Sequence, residues 1–208
     1  DWREVPTYSE FVLYERFFAR HGLRCLIVDP AECEFTGGRF TARGEKVDLI
    51  YKRVLLAELV ERGGTDHPVF QAVRAGAVCM VNGPRCKLLH KKASLAVLSD
   101  ERNARLFGPE ELAAIRRHVP WTRVVEERKT RWRDREVDLL PLVAGDRERF
   151  VLKPNDDYGG KGIVLGWEVT DAEWESALRA ALAEPHIVQQ RIELPVESFP
   201  ALTPDGVQ

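Results

Sequence analysis

Long hydrophobic runs are missing from this 208-residue chain. No stretch reaches the roughly 20 apolar residues that span a bilayer, and the polar start Asp1-Trp2-Arg3-Glu4 is unlike a secretory leader. An excess of one charge is missing too. The 31 basic residues nearly balance 33 acidic ones for a net charge of -2, which argues against nucleic acid or an anionic membrane as a partner. Cysteine is scarce: Cys25, Cys33, Cys79 and Cys86 include no CxxC pair, a poor basis for a metal site. Cys25 and Cys79 fall in apolar runs that read as buried strands, and free core thiols point to a reducing, cytoplasmic setting. His21, His67, His90, His118 and His186 lack metal-ligand spacing, and no GxSxG motif or Ser-His-Asp set is present.

What remains is an ordinary globular composition, 44% hydrophobic and 31% charged, sufficient for one large domain or two small ones. In the first part, SEFVLYERFFARHG reads as a helix, with Ser9 as its cap and Gly22 at its end. Residues 23–29 (LRCLIVD), 46–54 (KVDLIYKRV) and 77–84 (AVCMVNGP) read as buried strands. LLAELVERGG and HPVFQAVRAG read as the helices between the last two. Apolar strands alternating with helices predict a parallel, helix-covered sheet that ends near Cys86.

The second part opens with a helical HKKASLAVL, followed by the helix GPEELAAIRRHVP, whose charge order suits its dipole. VPWTRVV reads as a short strand, RKTRWRDR as an exposed connector and VDLLPLVAG as a short helix. RFVLKP and GIVLGWEV read as strands. TDAEWESALRAALAEP reads as a helix with a Thr170/Glu173 capping box and a face of Trp174, Leu178, Ala181 and Leu182. HIVQQRIELPV (186–196) reads as the last strand. The closing TPDG reads as a hairpin turn with little after it, so the chain is expected to be part of a longer protein.

The segment KPNDDYGGKG (153–162) carries the clearest chemistry. A P-loop ends in Lys-Ser or Lys-Thr and feeds a helix. Here Gly162 follows the lysine and a β-like run follows that. A kinase glycine loop has its key lysine later in the chain, whereas Lys153 comes first. The remaining choices are a plain polar hairpin or a lysine on a strand beneath a hinged glycine flap. In the second, Gly159, Gly160 and Gly162 let backbone N–H groups approach an anion, and Lys161 adds charge at the tip.

The order of these pieces resembles the ATP-grasp superfamily, and within it the glutathionylspermidine synthase-like, circularly permuted group. GAVCMVNGP, HKKASLAVL, VPWT, VLKP, GGKG and IVQQRI follow one another as that family's motifs do. The resemblance implies an α/β chain: a pre-ATP-grasp, Rossmann-like parallel-sheet domain over residues 1–86, then the N-terminal α+β subdomain of an ATP-grasp fold over 87–208, incomplete at its C-terminus. It implies ATP and Mg2+ as cofactors, with Lys92 and Lys153 on the phosphates and Gly159, Gly160, Lys161 and Gly162 as the flap. It further implies backbone around Gln189, Gln190 and Ile192 against adenine, and Glu193 or Glu197 on the ribose. The implied reaction is carboxylate–amine ligation through an acylphosphate. The alternative is a non-catalytic module that senses nucleotide or bridges partners.

The family's metal ligands and late arginine have no counterpart in this sequence. Asp156 and Asp157 are left unassigned, because adjacent solvated aspartates repel phosphate when no cation is present. At the end of the IYKR strand, Arg53 or Lys52 could clamp a substrate carboxylate, since ligands gather at the carboxyl ends of α/β strands. A surface salt bridge is the competing reading there, as a solvated strand pair is for Gln189 and Gln190 and a solvated helix face is for Lys91 and Lys92.

Overall fold

The computed structural model of the protein describes residues 1–200, together with the backbone of 202–203 and 206–207. It is a mixed α/β structure with two compact units, Asp1–Lys87 and Leu88–Gln208. Among the described residues, no helix is long and apolar enough to cross a membrane.

The first unit opens with α1 (Tyr8–Arg20), capped at Thr7 without a side-chain bond, so Ser9 lies inside the helix and does not start it. Gly22 ends it at φ +72°, a left-handed angle that suits glycine. Strands β1 (Cys33–Thr36), β2 (Arg39–Ala42) and β3 (Glu45–Lys46) form an antiparallel meander. Its first turn is Gly37-Gly38 with φ +58° and +77°, the pair of positive angles that a tight hairpin turn needs. Strand β4 (Leu49–Tyr51) is followed by α2 (Leu56–Gly63), α3 (Pro68–Arg74) and β5 (Cys79–Val81). β4 and β5 pair in parallel, Ile50 opposite Met80. The core gathers Phe40, Val54, Leu59, Val69, Phe70, Ala72 and Val78.

Two expectations for this unit fail. Residues 23–29 form no strand. The segment is held mainly at its ends: the Leu23 N–H donates to Phe18 O and the Asp1 ammonium donates to Val28 O, 3.2 Å. Its apolar side chains favour extended backbone, yet no neighbouring strand takes up its N–H groups, and the parallel sheet stops at two strands. The strands are also not fully buried. Cys79 and Cys86 are exposed and Cys25 is half-buried, so the expectation of core thiols does not hold.

α4 (Cys86–His90) crosses the division between the units. The second unit continues with α5 (Ala93–Ser99), α6 (Pro109–His118), β6 (Thr122–Val124), β7 (Lys129–Trp132), β8 (Arg135–Asp138), α7 (Leu139–Gly145), β9 (Phe150–Pro154), β10 (Val164–Leu165), α8 (Asp171–Ala183) and β11 (His186–Gln190). An antiparallel sheet runs in the order β10-β9-β11-β6. Paired residues in such a sheet share a face. Phe150, Leu152 and Val188 therefore share one face, packed with Leu139, Val143, Trp174, Leu178 and Ala181 of α7 and α8. Val151, Ile187, Gln189, Thr122 and Lys153 share the other, on which α5 lies.

Helix α8 is set by its Thr170 cap and the reciprocal Glu173 bond. Trp174 is its anchor: it is fully buried, with Nε1 donating to Val143 O at 2.9 Å. Leu182 falls outside that face and is 45% exposed. The RKTRWRDR segment is a hairpin, not a loose connector. β7 and β8 pair across Arg133 and Asp134, both at positive φ, and Thr130 is buried. The last strand stops at Gln190, short of the expected Val196, since the ladder with β9 ends at Gln190 opposite Phe150. Beyond it, β12 (Leu202–Thr203) and β13 (Gly206–Val207) pair as the arms of the expected hairpin; its turn, 204–205, lies outside the described residues.

Candidate anion site of the second unit

Lys153 lies one residue before the end of β9, on the sheet face that carries Gln189. Its Nζ donates to Gln189 Oε1 at 2.7 Å, and Gln189 Nε2 donates to Thr122 Oγ1 at 2.9 Å. Gln189 is 6% exposed. It is a buried bridge between a lysine and a threonine, not a solvated strand residue. Partial burial pushes the Lys153 ammonium below the usual lysine value, and the positive charge of Lys92 pushes it the same way.

Lys92 reaches this place from the start of α5. Its backbone N–H donates to Asn155 O at 3.0 Å, the Ala93 N–H donates to Asn155 Oδ1 at 2.9 Å, and its Nζ donates to Asp157 O. The Asn155 N–H in turn donates to Pro185 O at 2.9 Å. The base of the glycine loop is therefore pinned to both α5 and the entry to β11. Asp156 is exposed, with its carboxylate 3.7 Å from Lys91 Nζ and 3.8 Å from His90 Nε2. Among the described residues, no cluster of three or more His, Cys, Asp or Glu has metal-binding geometry.

Residues 155–163 join β9 to β10, which pair antiparallel. Gly159, Gly160 and Gly162 have φ of +62°, +78° and +66°, angles that strain any other residue. Space decides between them as well. A Cβ on Gly162 would sit 2.6 Å from Pro154 Cγ, whereas one on Gly159 or Gly160 meets nothing within 4 Å. Among the described residues, the N–H groups of these three glycines have no acceptor; the loop's own weak bonds are Lys161 N–H to Tyr158 O and Ile163 N–H to Gly160 O, both 3.3 Å. Lys161 is exposed, its ammonium 5.2 Å from the Tyr158 ring centroid. The pinned base and unbonded tip are what a backbone anion cradle needs.

The other expected site residues are not gathered here. The Gln190 N–H donates to Trp121 O and the Arg191 N–H to Arg149 O, each at 2.8 Å. The Gln190 N–H is therefore committed within the protein and not free for an adenine edge. Ile192, 55% exposed, and the exposed Glu193 and Glu197 lie past the end of β11, in residues without regular structure. Arg53 belongs to the first unit, and its guanidinium already holds Glu10, with Nη2 2.6 Å from Oε2 and Nη1 3.3 Å from Oε1. Geometry favours the salt-bridge reading for Arg53.

Sequence reasoning missed a second cation cluster in this unit. The side chains of Arg123 and Arg128 are only 3% and 8% exposed. Arg128 binds Asp100 and reaches Glu101 at 2.9 Å; Arg123 binds Glu101 and donates from Nε to Thr130 Oγ1 at 2.7 Å; Arg102 adds a 2.9 Å contact to Asp100. Burial pushes the Asp100 carboxyl up, but hydrogen bonds from Arg128 and Arg102 outweigh this and hold it well below the usual carboxylate range. Glu101 ends low for similar reasons: burial raises it, while a backbone N–H and Arg123 lower it further. The only sequence hint is the alternation in KTRW, where Thr130 and Trp132 turn inward. The chain matches no known family model and no curated protein.

Proposed function

We propose that the second unit binds the phosphates of ATP between Lys153, Lys92 and the glycine loop, and that the chain is the nucleotide-binding portion of an ATP-dependent carboxylate–amine ligase. One observation carries this reading: the ammonium of Lys153 on the sheet is acted on by that of Lys92 at the start of α5, beside three left-handed glycines, and their hydrogen-bond acceptors are neutral amide and backbone oxygens. That donor set fits a polyphosphate. It supplies positive charge from point-charge lysines and backbone N–H groups, and the Asp156 carboxylate of the same loop lies 3.7 Å from Lys91 and 3.8 Å from His90.

Within this reading each residue has a distinct task. Lys153 is held by Gln189, so its ammonium is already oriented before an anion arrives. Lys92 couples the anion to the loop base, since the same side chain bonds Asp157 O. The 159–162 tip would fold over the bound group and exclude water. When bound, ATP supplies the phosphoryl group that activates a carboxylate toward an amine. Mg2+ would arrive with the nucleotide, and the cytoplasm is the proposed setting. The ligase step rests on the order of sequence motifs; the anion site rests on geometry.

Calorimetry with Mg-ATP on the wild type and on Lys153→Ala tests the reading. The expected result is saturable binding that weakens at least about tenfold in the variant, since a charge-assisted contact contributes roughly 1.5–3 kcal/mol. Equal affinity in the two proteins, or no binding to the wild type, would overturn it.

A further inference from the structure

The first unit has an opening of a different character. Residues 23–28 and β4 are among the residues that line a cavity of about 790 Å³. That size falls within the range of small-molecule sites, roughly 300–1,000 Å³. Phe11, Phe18, Leu26, Phe40, Ile50 and Met80 are among its lining residues. Four cationic side chains line it as well: Arg24, Lys46, Lys52 and Arg53.

Three of the four are matched by carboxylates. Arg24 binds Glu45 at 2.6 Å, Lys46 binds Asp48 at 2.5 Å and Arg53 binds Glu10 at 2.6 Å. The lining carboxylates are likewise served: Glu45 and Asp48 by those cations, and Asp1 by the Trp2 N–H at 2.8 Å. Lys52 differs. Its Nζ donates to a backbone oxygen, Val54 O, at 2.8 Å, and it has no carboxylate partner among the described residues. It is half-buried. Burial holds its ammonium below the usual lysine value, with Cys86 opposing this and Lys87 adding to it. A partly desolvated cation beside an apolar cavity is stabilised by a monoanion that brings its own apolar surface.

We propose that this cavity is a binding site for a small monocarboxylate with an apolar body, the carboxylate taken by Lys52 and the body by the cavity wall. The position agrees with the general rule that ligands collect at the carboxyl ends of strands in α/β units, since Lys52 directly follows β4. The proposal goes beyond nucleotide binding and stands on the first unit alone.

Calorimetry on the full chain without nucleotide provides the test, with octanoate, 1-octanol, octylamine and acetate as probes. Octanoate is expected to bind roughly ten- to a hundredfold more tightly than octanol, the range a charge-assisted contact supports. Acetate and octylamine are expected to show no saturable binding. Lys52→Met should bring octanoate down to the octanol level and leave octanol unchanged, and Lys52→Arg should retain the preference. Equal binding of octanoate and octanol by the wild type overturns the proposal. So does wild-type octanoate affinity in Lys52→Met, or the absence of octanoate binding. If Lys52→Met does not fold, the wild-type ratio and Lys52→Arg decide. An octylamine preference, or tight binding only of an extended peptide paired to the open edge of β4, would also contradict it.

Discussion

The second unit holds two clusters of positive charge that have opposite chemistry. Arg123, Arg128 and Arg102 are saturated by Asp100 and Glu101. Lys92 and Lys153 are met by an amide oxygen and a backbone oxygen. Guanidinium groups suit permanent, directional pairing with carboxylates, whereas an ammonium is a point charge that can be exchanged between partners. The arginine cluster therefore reads as architecture, fixing the β7–β8 hairpin and the segment 100–106 to β6. On the proposed reading, the lysine pair keeps its net charge for an arriving anion.

The largest expected effect lies at Asp100. Asp100→Asn removes the carboxylate that Arg128 and Arg102 share, leaving Arg128 with Glu101 and Arg102 with Glu126, and removing one partner of a buried pair costs up to about 3–5 kcal/mol. Denaturant unfolding should show that loss, while Lys92→Met should show nothing of the kind. A midpoint for Asp100→Asn within experimental error of the wild type would put the arginine cluster on the same footing as the lysines.

Next in size is the glycine loop. Gly162→Ala places a side chain at φ +66° and 2.6 Å from Pro154 Cγ, so at least about 1–2 kcal/mol of strain must be relieved by moving the loop. Gly159→Ala, with open space around it, carries the backbone term alone. Mg-ATP binding should weaken in the order wild type, Gly159→Ala, Gly162→Ala; the reverse order would separate the loop from the anion site.

Smallest, and opposite in sign, is the stability effect at Lys153. Lys153→Met removes a partly desolvated charge and keeps the volume, so stability should stay within about 1 kcal/mol of wild type or rise. A loss of several kcal/mol would make Lys153 a structural residue.

The two clusters should also part company with pH. The carboxyls of Asp100 and Glu101 lie below their ordinary values of 3.8 and 4.5. Their contribution is therefore present above those values and lost as pH falls below them. Lys153 lies below its ordinary 10.5. Its charge penalises the fold at neutral pH, and the penalty is relieved as pH rises toward 10.5. Unfolding curves of wild type and Lys153→Met should converge at the alkaline end; curves that diverge there would contradict the assigned direction.

The signals legible in the sequence were local ones. The Thr170/Glu173 capping box, the loop between two strands at 155–163 and the helix at GPEELAAIRRH all follow from spacing and turn chemistry within a dozen residues. Partnership was not legible. Residues 23–29 have strand composition, but composition does not name a neighbour, and the backbone there finds none. Arg128 looked solvated in a run of charges, because its carboxylate partners Asp100 and Glu101 lie 28 and 27 residues away. The Lys153–Gln189–Thr122 bridge spans 67 residues of sequence, so the meeting of these groups belongs to the sheet register and not to any motif. The hairpin at Gly37-Gly38 carried its signal in plain view, two glycines between Phe35 and Phe40, which the pairing sets opposite each other.

Availability of the lysine pair is best tested by amine acylation read by mass spectrometry, with and without Mg-ATP. Lys153 and Lys92 should be modified in the free protein and protected together at saturating nucleotide, while an exposed reference such as Lys129 is modified equally in both. Unchanged labelling of Lys153 and Lys92 across the titration would show that the anion goes elsewhere and would contradict the account.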